Sequence, residues 1–435
     1  MFKIKFNELF KQNTLTYTSF IFVFSLFFEE SIKINSGIYR ISIVEILFIL
    51  LTICIILNFK SKVFYYLTNI KNYDFFDLLI LLILLLKIIK YLLNFSNFFN
   101  LYEVLIWLYM LLIFKEFKFI ILNDNYLINK IEIAFIALSI LISFNIFISF
   151  IIYLLDINHL SLWIERSSTY LPYVGTSTLH ITGLFSNYNQ PAHLIIPGYF
   201  FLICRIKNPV FIIILILIFL IVFYLIKSKV LILFFGTLFI YILLTKTKVN
   251  YKKNLSILLL ISLACFYFLI THFIIIENKT INSFNLAMFK QYFFTEFNII
   301  FQNFSVYGSL FLKLKYLCFI IADSFNFIFF NETNFYQNKL IYNFFDNYTD
   351  PHSEYFGALA NYGLIGFIIF LILPFYFILN FYKNYDYFLK NEQGLIYFLI
   401  IVTFFIEGLV LDFLHLQMLW IIFAMFKFKA LSPKK

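Results

Sequence analysis

The feature that most constrains this chain is a succession of apolar runs, separated by short polar segments, that continues almost from one end to the other. Runs long enough to span a bilayer, or nearly so, fall at 14–30, 41–58, 75–94, 101–114, 131–155, 191–204, 209–226, 230–245, 255–276, 357–382, 394–410 and 412–426. Across 435 residues, 63% are hydrophobic, 13% are charged and 65 are phenylalanine, more apolar surface than a water-soluble core can bury. The expectation is an all-α, polytopic membrane protein of about twelve transmembrane helices.

Lysine and arginine orient these helices, because cytoplasmic loops retain them. With the N-terminus inside, most of the 33 basic residues fall on one side, among them Lys60, Lys62, Lys115, Lys118, Lys246, Lys248, Lys252, Lys253 and Lys427. Both termini are then expected in the cytoplasm. The net charge of +10 reads as a topology signal and not as a nucleic-acid footprint. MFKIKFNELFKQ lacks a small-residue cleavage site and reads as a retained end. Cys54, Cys204, Cys265 and Cys318 are scattered and indicate neither a disulfide framework nor a zinc site.

This topology divides the chain into helices 1–9 over 1–276, with an outward loop at 156–190, a large outward loop at 277–356, and helices 10–12 with a cytoplasmic tail over 357–435. The stretch from Leu286 to Leu312 alternates apolar residues with Lys290, Gln291, Glu296 and Asn298, which suits amphipathic helices on a membrane surface.

The boundary between that loop and the tenth run reads DPHSEYFGALANYGLIG, Asp350 to Gly366. Asp350-Pro351 is a helix-start signal, and at a histidine in the first turn, His352, the helix dipole disfavours the imidazolium and favours a neutral imidazole able to accept a proton. Roughly 16 Å further along a helix of 1.5 Å rise, Gly363 and Gly366 are expected to form a small-residue packing pair. The pattern His352-Ser353, nine residues, Gly363-x-x-Gly366 resembles the signature of the O-antigen ligase superfamily, which comprises O-antigen ligases, O-antigen polymerases and protein O-oligosaccharyltransferases. A second stretch, TGLFSNYNQPAHL from Thr182 to Leu194, is similar to a family segment ending at Asn189, although Tyr188 replaces the usual proline before it. Pro191 is expected to open a helix there, and His193 reads as a packed helix position.

The resemblance implies a GT-C-like membrane glycosyltransferase of the bacterial inner membrane, with its site on the periplasmic face. Its donor would be a glycan on undecaprenyl diphosphate and its acceptor a hydroxyl, with lipid A-core oligosaccharide favoured; a lipid-linked repeat or a protein hydroxyl are the alternatives within the family. It assigns His352 as the catalytic base and carries diphosphate recognition to Lys229 and Lys290, which stand where the family has arginines. A lysine supplies charge without the bidentate fork of arginine. Arg166 is a further candidate diphosphate ligand, and Asn189, His180, Ser353, Gly363 and Gly366 complete the motif and substrate-binding set. Inverting transfer with a diphosphate leaving group calls for neither a metal nor a nucleotide cofactor. A transporter of lipid-linked glycans is the rival from another class; Lys87 and Lys90 towards one end of their run, and the lack of an internal repeat, count against it.

Overall fold

The computed structural model describes residues 2–28, 33–35, 40–69, 73–93, 98–124, 126–154, 184–185, 189–206, 208–226, 230–246, 354–408, 414 and 416–431. Described residues are almost entirely helical: α1 Phe2–Ser25, α2 Ile43–Phe59, α3 Ser61–Thr68, α4 Phe75–Leu93, α5 Phe98–Asn123, α6 Tyr126–Leu154, α7 Asn189–Arg205, α8 Pro209–Ile226, α9 Val230–Lys246, α10 Glu354–Lys383, α11 Tyr385–Lys390, α12 Glu392–Glu407 and α13 Gln417–Leu431. One small antiparallel hairpin, β1 Lys33–Asn35 and β2 Arg40–Ser42, pairs Ile34 with Ile41 ahead of α2. Helices stand at every expected apolar run except 255–276, which lies outside the described residues, as does most of the loop at 156–190 and nearly all of that at 277–356.

Local chemistry explains the starts. Asp74 Oδ1 accepts the N–H groups of Phe76 and Asp77 at 2.9 and 3.1 Å, and Asp77 Oδ2 accepts that of Asp74 at 2.9 Å, a reciprocal cap for α4. Asn208 caps α8 through Val210 N–H at 2.9 Å, with Pro209 at the first helical position. Asn391 caps α12 through Gly394 N–H at 3.2 Å.

Among the described residues, two helices are long and apolar enough to cross a membrane, Tyr126–Ile151 within α6 and Tyr362–Lys383 within α10; a third qualifies if Ile43–Phe59 and Lys62–Thr68, bent by 110°, are one span. Their outward faces carry large apolar side chains, such as Ile140 and Phe144 on α6 and Ile368, Phe375 and Leu379 on α10. A contiguous apolar exterior of this kind is unsuited to water and suits lipid. Inside, α4, α5, α10 and α13 close around an aromatic cluster in which Phe76, Phe370, Phe377, Phe423, Trp107 and Trp420 meet at ring separations of 5.2–5.8 Å.

The structure corrects two expectations. Lys115 and Lys118 do not lie in a loop: α5 runs on to Asn123, and both lysines are buried against Asp77. Gly363 is not a packing residue within a continuous helix either. Its backbone is non-helical, at φ 67° and ψ −167°, and it breaks α10 into 354–362 and 364–383.

Candidate functional site

The break in α10 falls at Gly363, which with Lys60 is one of the two positive-φ positions among the described residues. A conformation at φ 67°, ψ −167° is essentially restricted to glycine. The turn it makes brings Tyr362 back over Gly366, where an added Cβ would lie 2.1 Å from Tyr362 Cβ. Both glycines of the motif are therefore required by geometry at the same point. Tyr362 is fixed at its far end too. Its hydroxyl donates to Glu103 Oε2 on α5 at 3.0 Å and accepts from Lys87 Nζ on α4 at 2.9 Å, while Lys87 and Glu103 pair at 3.2 Å. Lys87 also lies 5.1 Å from the Trp107 ring centre, and Lys90 lies 5.3 Å from that of Tyr362.

The 354–362 segment is held at its start by the end of α12. Glu354 N–H donates to Gly408 O at 3.1 Å, Leu414 N–H donates to Glu354 Oε2 at 3.4 Å, and the buried Tyr355 hydroxyl donates to Phe405 O at 3.0 Å. Directly before Gly408 stands Glu407, which is 0% exposed. Its Oε1 lies 2.5 Å from Nε2 of His193, itself 4% exposed, and the His193 ring sits 5.8 Å from that of Phe404. α7, which carries His193, begins at Asn189 with Pro191 in its first turn. Just upstream, Leu184 N–H donates to Asn145 Oδ1 on α6 at 3.0 Å.

The opposite end of the bundle holds a different network. Asp77, 0% exposed, pairs with Lys115 at 2.9 Å and Lys118 at 2.5 Å; Asp74 pairs with Lys118 at 2.8 Å and with Lys427 of α13. Lys115 Nζ lies 3.4 Å from the Tyr73 ring centre. Burial, and then the Asp77 charge, push the Tyr73 hydroxyl above the ordinary tyrosine range. Beside this network, Glu132 accepts from Arg205 at 2.6 Å and from the Tyr397 hydroxyl at 2.5 Å.

Of the residues singled out in the sequence, Gly363 and Gly366 meet at one turn and Asn189 opens α7. His352, Ser353, Lys229, Lys290, Arg166 and His180 lie outside the described residues. Among the described residues, no three His, Cys, Asp or Glu side chains converge as a metal site would require. The reading from sequence overlooked Glu407 and Glu103 and gave His193 only a packing role. A signal for Glu407 was there: it is a carboxylate inside the run FLIIVTFFIEGL, and an ionisable residue in such a run calls for a partner or a function.

In comparisons with known proteins, no family model, no curated protein and no solved structure matches this chain. The fold and its surfaces define the class at a coarser level, a largely helical protein whose long apolar helices suit a membrane.

Proposed function

We propose that this chain is a polytopic glycosyltransferase of O-antigen ligase type, with about twelve spans, both termini in the cytoplasm and its site on the periplasmic face of a bacterial inner membrane. It moves a glycan from undecaprenyl diphosphate to a hydroxyl of lipid A-core oligosaccharide. The observation that carries this reading is the His352-Ser353 to Gly363-x-x-Gly366 pattern, because its two glycines occupy positions where geometry admits no larger residue. The start of the 354–362 segment supports it as well. Glu354, two residues after His352 in the chain, is tied by its backbone to Gly408.

In the proposed step the acceptor oxygen attacks the anomeric carbon while the bond from that carbon to the diphosphate oxygen breaks. The hydroxyl proton passes to His352, and the electron pair of the broken bond leaves on the diphosphate. Lys229 and Lys290, with Arg166, stabilise the charge that grows there. A single displacement inverts the anomeric carbon.

The test is transfer in a host that lacks its own ligase and is supplied with a lipid-linked glycan, comparing the intact chain with His352→Ala at equal membrane abundance. Glycan on lipid A-core that disappears in the variant is the expected result. Longer lipid-linked chains with bare core would assign a polymerase, glycosylated protein would assign a protein oligosaccharyltransferase, and full activity in His352→Ala would remove the proposed base.

A further inference from the structure

Glu407 is the last residue of α12, and its side chain is half satisfied. Oε1 is held by His193 Nε2 at 2.5 Å, whereas Oε2 is buried and, among the described residues, has no hydrogen-bond partner. A buried carboxylate oxygen without a donor is costly, and such an atom in a native fold calls for a group that completes it. The surroundings narrow what that group is. The negative charge of a carboxylate repels a phosphate, and an apolar chain would leave the oxygen as it is. Among the described residues, one carboxylate and one imidazole meet here, fewer than the ligand set of a calcium or structural zinc site. A hydroxyl supplies the missing donor without bringing charge, and the Phe404 ring beside His193 offers an apolar face to the carbon skeleton that bears it.

We infer that Glu407 binds a hydroxyl of the acceptor glycan through Oε2, and that His193 is a positioning residue that holds the carboxylate in the required orientation. The location agrees, since Gly408, the next residue, receives the backbone N–H of Glu354, so the pair adjoins the start of the segment that follows His352 in the chain. The identity of the ligand as a glycan rests on the transfer reading; the need for a donor at Oε2 does not.

The experiment uses the full chain in lipid nanodiscs, with lipid A-core oligosaccharide freed of its lipid as the probe and two readouts, thermal protection by the probe and acceptor KM in the transfer assay. Glu407→Gln keeps the shape and removes the charge, replacing a charge-assisted hydrogen bond by a neutral one. It is expected to abolish protection and to raise acceptor KM about tenfold beyond any fall in kcat. His193→Gln, which leaves the carboxylate in place, is expected to give a smaller rise in KM, and it carries the test if Glu407→Gln does not accumulate. Protection that depends on Glu407 in a chain that transfers nothing would uphold the site and sink the transfer reading. Unchanged KM and protection in both variants, no protection of the unaltered chain, or protection by sodium ions in place of the oligosaccharide would overturn the inference.

Discussion

The two ends of the helix bundle place buried carboxylates in different company. Around Asp77, three lysines from α5 and α13 converge on two carboxylates at the start of α4, and the carboxylates also cap that helix. Around Glu407, a single imidazole meets a single carboxylate, one oxygen is left without a donor among the described residues, and the neighbouring helix is broken at Gly363. The first arrangement joins helices; the second holds groups in reserve at a site that carries backbone strain. Each lysine of the first arrangement meets a carboxylate, whereas Glu407 is paired, among the described residues, only with an imidazole.

The contrast can be broken most forcefully at Asp77. Replacing it with Ala leaves Lys115 and much of Lys118 buried without their counter-charge, and a loss of about 3–5 kcal/mol is expected, read as a collapse of the thermal midpoint in detergent or of membrane abundance. Next in size, Gly363→Val forces a β-branched residue into φ 67°, ψ −167° and is expected to cost up to about 3 kcal/mol, with transfer lost at temperatures where the chain is still folded. Tyr362→Phe removes one hydroxyl from the Lys87–Glu103 pair, and about 2 kcal/mol is the expected loss in the same melt. The smallest effect is at Thr52, which donates to Glu116 Oε1 at 2.8 Å: Thr52→Val is expected to lower stability by about 1 kcal/mol and to leave transfer intact.

Much of the fold was legible because apolar periodicity and capping are local. Asp74, Asn208 and Asn391 begin helices for reasons visible within a few residues. The extent of α5 was not legible: Lys115, Glu116 and Lys118 end its apolar run, and only the distant Asp74 and Asp77 explain why the helix continues through them. The motif glycines were visible as residues that matter, yet a packing pair and a helix break place glycine at the same positions, so the pattern alone does not distinguish them. The pairing of Glu407 with His193 spans 214 positions and is contributed by two helices, which no spacing rule encodes.

The most direct test of this division between a structural end and a functional end is a matched pair, Asp77→Asn and Glu407→Gln, with thermal midpoint and glycan transfer measured on each at equal membrane abundance. The account predicts a large fall in midpoint for Asp77→Asn with the remaining folded protein still active, and a nearly unchanged midpoint with impaired transfer for Glu407→Gln. A Glu407→Gln protein that melts early and transfers normally when folded would contradict it.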